Sequence, residues 1–188
     1  MSGAVRIGSL DLRPASAHRE LLADPVAAAL EEAGLQDSSF AEVAVAAIDP
    51  ELADTAAFCA AYDVPLEISA NCVVVAGRRE GEQRIAACVV LATTRADVNG
   101  IVKRRLDVRK ASFLSMDEAV ALSGMEYGGI TPLGLPPEWP VLVDGAVAAL
   151  DWAIIGSGLR RSKLAIPGAA LAALAARGRG EVVPGLAR

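Results

Sequence analysis

The chain has 188 residues, 53% of them apolar and 22% charged, which is enough for one domain with a full core and excludes wholesale disorder. Lys and Arg number 18 against 23 Asp and Glu, a net charge of −5, which excludes a protein that coats nucleic acid by bulk charge. No uninterrupted apolar stretch reaches the roughly 18 residues of a membrane span, so neither a membrane nor DNA is expected as partner.

Asp24-Pro25 is a cap with proline in the first turn and predicts a helix that stops at Gly34. Glu42 to Ala47 alternates polar and apolar residues and predicts a short strand. Asp49-Pro50 repeats the cap-and-proline signal and opens a helix through Leu52, Ala56, Cys59 and Tyr62, closed by Val64-Pro65. The Val-rich run 71–77 and the apolar run 84–91, joined by the polar turn Arg78-Arg79-Glu80-Gly81-Glu82, predict a hairpin. Asp97 caps a short helix containing Ile101, Val102 and Leu106; Lys110 to Leu114 is a brief strand. Ser115, with Glu118 three residues on, is a capping box that starts a helix to Gly124. Residues 127–137 have turn chemistry throughout. Strands are expected at Pro140–Val143, Asp151–Ile155 and Lys163–Ile166, with a turn or helix at 144–150 and a final helix from Pro167 to about Ala176. Short strands mixed with short helices, without regular βαβ spacing, predict a single α+β domain whose curved, mixed, largely antiparallel sheet is flanked by short helices. The expected organisation is an N-terminal extension over 1–40, the domain proper over 41–178 and a flexible tail over 179–188.

The three cysteines, Cys59, Cys72 and Cys88, sit apart in apolar runs. With no leader-like segment at the N-terminus, they predict buried free thiols in a reducing cytoplasm. They lack zinc spacing and His18 is the only histidine, so no metal site and no cofactor are expected. A Ser-His-Asp or Cys-His site would have to use His18, which lies in a polar stretch and reads as a surface residue. Charge is unevenly spread: residues 1–69 hold 3 Lys/Arg and 12 Asp/Glu, and residues 70–188 hold 15 and 11. The basic groups Arg78-Arg79, Lys103-Arg104-Arg105, Arg109-Lys110 and Arg160-Arg161 with Lys163 hint at a local anionic partner, or are simply solvated surface.

Three features can carry chemistry. Gly156-Ser157-Gly158-Leu159-Arg160-Arg161 follows a strand, but it lacks the third glycine of a dinucleotide fingerprint and leads into another strand. It is a plain turn, or a concavity of backbone N–H groups with Arg160 and Lys163 beside it for a carboxylate or phosphate. The loop Gly128-Gly129-Ile130-Thr131-Pro132-Leu133-Gly134 pairs two glycines, which admit close backbone approach, with a stiffening proline and a hydroxyl. It is a candidate oxyanion hole, or a surface turn. Asn71, polar at the head of a buried strand, either serves a site there or is satisfied by neighbouring backbone.

Phe58-Cys59-Ala60-Ala61-Tyr62-Asp63-Val64-Pro65, Ser69 to Val75, Asp97-Val98, Lys110-Ala111-Ser112-Phe113, the Gly128–Gly134 loop, Val141-Leu142-Val143-Asp144 and Gly156-Ser157-Gly158 together resemble the YbaK/EbsC family over about residues 45–175. That family includes free-standing aminoacyl-tRNA deacylases and the editing insertion of bacterial prolyl-tRNA synthetases. The resemblance implies hydrolysis in trans of the ester that joins a small, wrongly attached amino acid to a tRNA 3′ adenosine. It assigns the reaction to Gly128, Gly129, Ile130 and Thr131. Binding is expected of Asn71, Pro132 and Gly134, and of the concavity formed by Gly156, Ser157 and Gly158 with Lys163 beside it, a stretch the resemblance does not match residue by residue. The expected partner is the aminoacyl-tRNA acceptor end, with a homodimer or association with a synthetase as further possibilities. Asn71 stands where the deacylases carry a lysine, and asparagine keeps hydrogen bonding without charge. A non-catalytic module that binds a tRNA end, a nucleotide or an amino-acid-like ligand is therefore the alternative. A partner-binding protein using Trp139 as an exposed anchor is the third reading.

Overall fold

Proline placement and side-chain caps set the helix starts in the computed structural model, which describes residues 5–188. In chain order the elements begin with β1 (Arg13–Pro14), α1 (Asp24–Gln36), β2 (Ala44–Ala47) and α2 (Thr55–Tyr62). They continue with β3 (Ala70–Arg79), β4 (Glu82–Leu91), α3 (Lys103–Leu106), β5 (Ala111–Phe113), α4 (Met116–Ser123) and β6 (Val141–Asp144). The last are α5 (Gly145–Ala148), β7 (Ala153–Gly156), β8 (Ser162–Ile166), α6 (Gly168–Arg177) and β9 (Glu181–Val183). Pro25 occupies the first turn of α1, where its missing N–H would have no partner. That helix continues two residues past Gly34, at which a side chain would meet open space. The single helix expected from Asp49 to Tyr62 is two pieces. A 3-10 turn, Pro50–Leu52, is capped by the Asp49 carboxylate on the Glu51 N–H at 2.9 Å, and α2 starts afresh after Asp54. The break at Ala53-Asp54 turns the Ala53 carbonyl inward, with consequences for the site.

The α+β class holds, with the sheet divided in two. One sheet has the order β1-β2-β8-β7 and the other β5-β3-β4-β6-β9. Pairing is antiparallel except for β4 with β6 and β6 with β9. The hairpin is longer than expected: Arg78 and Arg79 are strand residues, and the turn is Glu80-Gly81 alone, both at positive φ (54° and 88°). Two residues at positive φ give the turn whose twist matches the flanking strands. The two sheets meet where Ser69, just before β3, bridges Ile154 of β7 in parallel. This seam brings the head of β3 beside the ends of β7 and β8.

Segments near both ends of the described residues enter the core. In the 1–40 segment β1 pairs with β2, and Val26 of α1 is fully buried with Met125, Leu133, Ile155 and Leu171. Residues 179–188 are not a free tail: β9 extends the second sheet, and Val183 and Leu186 are buried beside Val75 and Cys88. Backbone bonds between Arg95 and Arg188, 2.9 and 3.0 Å, hold the last residue. Each fully buried Val or Leu contributes about 1.5–3 kcal/mol, so these ends stabilise the domain. Trp139 is buried, at 6% exposure, and offers no surface anchor. Among the described residues no helix is long and apolar enough to cross a membrane.

Candidate functional site

At the seam between the sheets lies an open cleft of about 400 Å³. Asn71 reaches it from the head of β3, Lys163 from β8, Thr55 from the first turn of α2, and Tyr127, Gly128 and Ile130 from the loop after α4. A larger cleft of about 530 Å³ lies between α1 and the segment around Phe40, lined mainly by apolar side chains with Arg19 and Glu31 at its rim. Convergent polar groups distinguish a reactive pocket from a packing fault, so the smaller cleft is the candidate.

Lys163 is the pivotal group. It is 9% exposed, its Nζ donates to Ala53 O at 3.0 Å, and it stands 5.4 Å from the centroid of the Phe58 ring. One bond from three N–H donors leaves donor capacity for a ligand. Burial, the largest influence, pushes the ammonium below the usual lysine range; Arg160 pushes the same way, while Cys59 and Asp54 oppose it. Asn71 Oδ1 accepts from Thr55 Oγ1 at 2.9 Å, which fixes the amide at the cleft wall. Arg160 packs over the Tyr127 ring at 5.5 Å with Asp54 Oδ1 3.8 Å away, beyond hydrogen bonding, and its Nη1 is buried without a partner. Cys72 also lines the cleft, but burial first and then neighbouring Cys88 push its thiol well above the usual range, which disfavours a thiolate nucleophile.

The glycine loop is built to bring backbone to the cleft. Gly128 has φ +78°, and a Cβ there would lie 2.5 Å from Arg160 Nη1. Gly156 closes the approach from below: a Cβ would fall 2.4 Å from Gly129 O, so only glycine lets β7 pass beneath the loop. The Gly129 peptide is committed internally, donating to Glu126 O at 3.0 Å and accepting from Gly158 N at 2.7 Å. The amides of Gly128 and Ile130 have no partner among the described residues, and both residues line the cleft. Unpaired amides in a cleft that an ammonium also enters are donors of the kind that can stabilise a developing oxyanion.

A family model described as an aminoacyl-tRNA editing domain matches residues 49–174. The chain belongs to this family. Among solved structures it is similar to a candidate trans-editing enzyme for prolyl tRNA synthetase, with 19% identity and a TM-score of 0.69 over 86% of this chain and 94% of that one. It is also similar to a hypothetical protein, at 19% identity and TM-score 0.71 over 88% of this chain and 100% of that one. A scaffold used for epitope backbone grafting matches at 20% identity and TM-score 0.68, over 86% of this chain and 95% of that one. No curated protein matches the sequence.

Within this editing domain the expected site residues separate into two groups. Asn71, Gly128, Ile130, Gly156 and Lys163 line one cleft. Gly129, Thr131, Pro132, Gly134, Ser157 and Gly158 do not. Thr131 is fully buried, its N–H meeting Met125 Sδ at 3.4 Å while its hydroxyl has no partner. Ser157 Oγ is buried and bonds Ser162 Oγ at 2.7 Å and Leu159 O at 3.1 Å. Gly134 lies against Pro25 and Gly158 against Ala23 and Val26, so both seat the loops on α1. Seven cleft residues went unpredicted: Ala53, Asp54, Thr55, Ala70, Cys72, Val73 and Tyr127. The Asp54-Thr55 pair was legible as a second helix start inside the region read as one helix. Tyr127, at the edge of the glycine loop, carried no separate signal.

Proposed function

We propose that this editing domain is an aminoacyl-tRNA deacylase that works in trans, hydrolysing the ester of a small, wrongly attached amino acid at a tRNA 3′ end. The observation that carries the reading is the position of Lys163. The family lysine expected at Asn71 is absent, yet a buried ammonium from β8 enters the cleft that Asn71 and Gly128 also line. An ester needs less activation than an amide, so water can attack if the carbonyl oxygen is held by donors that strengthen as charge develops. The Gly128 and Ile130 amides supply two such donors and Lys163 the charge; Asn71 N–H groups orient the ribose or the amino acid. The limited cleft volume favours short side chains, because a pocket excludes by steric overlap what it cannot reject by binding energy.

A non-catalytic binding module is the second reading. It is favoured by the bonds already made: Asn71 Oδ1 is taken by Thr55, and Lys163 Nζ by Ala53 O. Incubating the purified protein with a panel of mischarged tRNAs separates the two. Release of one or more small amino acids supports the deacylase. Tight binding of the panel with no release supports the module and overturns the first reading.

A further inference from the structure

The end of the β3–β4 hairpin remote from the cleft concentrates positive charge in an acidic protein. Residues 78–84 and 103–110 together hold eight Lys/Arg and three Asp/Glu. The two segments form one surface. Arg79 Nη1 meets Asp107 Oδ1 at 2.7 Å, Arg84 Nη1 donates to Leu106 O and Asp107 O at 3.1 Å, and Gly77 packs directly on the Lys110 backbone. Three of the cations are committed: Arg79 and Arg84 to Asp107, and Arg105 to Glu181. Arg78, Arg104, Arg109 and Lys110 are exposed, and none has an ion pair among the described residues. Arg78, Arg79 and Arg109 wall an open concavity of about 460 Å³ that holds one carboxylate, Glu80.

Strand β3 is the ruler between this surface and the cleft. Asn71 and Arg79 are eight residues apart on one strand, a span of about 26 Å at ~3.3 Å per residue. Phe113 of the edge strand β5 pairs with Val75, halfway along, and is 62% exposed. No small ligand in the cleft can touch cations that far away. A polyanion with one end in the cleft can, and exposed aromatic surface between the two points suits unpaired bases. The free cations of this concavity are Arg78 and Arg109, with Arg104 and Lys110 on the same surface, and such side chains suit phosphate contacts that position a helix without reading its sequence.

We propose that the hairpin tip is a docking surface for the double-helical stem of the RNA whose 3′ end enters the cleft, with Arg78, Arg104, Arg109 and Lys110 neutralising backbone phosphates. This rests on the reading of the cleft given above, and its test does not require catalysis. The probe is an uncharged RNA hairpin with a single-stranded 3′ tail, titrated with the full chain by fluorescence anisotropy over a range of salt. Arg78→Glu/Arg109→Glu is expected to weaken binding about tenfold near 0.1 M salt and to flatten the salt dependence by about two units of slope. Arg6→Glu/Arg95→Glu, the same charge change at two exposed arginines elsewhere, is expected to stay within about twofold of the parent. Unchanged binding by the hairpin pair, or equal loss in both pairs, overturns the proposal. So does binding of anionic vesicles in place of RNA. Patch-dependent RNA binding without release from any mischarged tRNA removes the hydrolase and leaves this surface standing. Release with a KM for full-length tRNA unaffected by the hairpin pair removes this surface and leaves the hydrolase.

Discussion

Lys163→Met separates a charge kept for chemistry from one kept for folding. Methionine matches the length of the lysine stem and fills the space under Phe58. The variant loses the 3.0 Å bond to Ala53 O, worth about 1 kcal/mol net, and leaves a carbonyl short of a donor at a cost of about 1–3 kcal/mol. Against this, an ammonium that is 9% exposed no longer has to be desolvated, a penalty of several kcal/mol in protein interiors. The two sides offset, and the expected change in unfolding free energy lies within about 2 kcal/mol of zero. The pH dependence follows from the sign of the shift. Because the folded lysine titrates below its unfolded value, the unfolded chain holds more protons between the two, and stability of the parent rises with pH across that window. Below the folded value the penalty is fully present. Lys163→Met is expected to lack this rise. Deacylation, by contrast, should fall about 100- to 1,000-fold, the usual effect of losing one oxyanion donor. Urea melts across the alkaline range and single-turnover release from mischarged tRNA measure both. Activity within about threefold of the parent, or a loss above ~3 kcal/mol in stability, would refute the reasoning.

Moving the cation across the cleft is the companion experiment: Asn71→Lys/Lys163→Met should recover at least about tenfold of the rate lost in Lys163→Met alone, since an ammonium again faces the same carbonyl. No recovery would mean that the β8 position itself is required. Gly128→Ala, at φ +78° with its Cβ 2.5 Å from Arg160 Nη1, should cost about 1–2 kcal/mol in left-handed strain. By displacing Arg160 from Tyr127 it should also lower the release rate more than about tenfold; a folded variant with full activity would exclude this loop from the reaction. Thr131→Val removes a buried hydroxyl that has no partner, so the urea midpoint should rise by the equivalent of about 1 kcal/mol with activity unchanged. Lost activity would instead give that hydroxyl a role in the cleft.

Local rules made the α+β class and most element boundaries legible. The Ser115 cap forms as expected, its Oγ accepting from the Glu118 N–H at 3.4 Å, while the Glu118 carboxylate accepts from the Ser115 hydroxyl at 2.6 Å in place of the Ser115 N–H. The hairpin runs from Ala70 to Leu91 around its Gly-containing turn. The failures are long-range. Gly134 and Gly158 have the composition of a ligand loop, but their environment is set by Pro25 and Ala23, which no local window relates to them. The C-terminal Arg/Gly/Pro composition suggested mobility, yet Val183 and Leu186 find a core that the second sheet leaves open. Lys163 was singled out for its place in a basic cluster. What makes it a site residue is the seam between two sheets, and that depends on a bridge between Ser69 and Ile154.

The seating of Gly134 and Gly158 on α1 bears on the order of assembly. Ala23 N donates to Ser157 O at 3.1 Å, so the wall behind the cleft joins residues more than a hundred positions apart. Such closures cost chain entropy before burial repays them. The wall behind the cleft is thus complete only once that long-range closure has been made. A chain shortened to the matched family region, 49–174, would keep every residue that lines the cleft and lose the helix on which its loops rest.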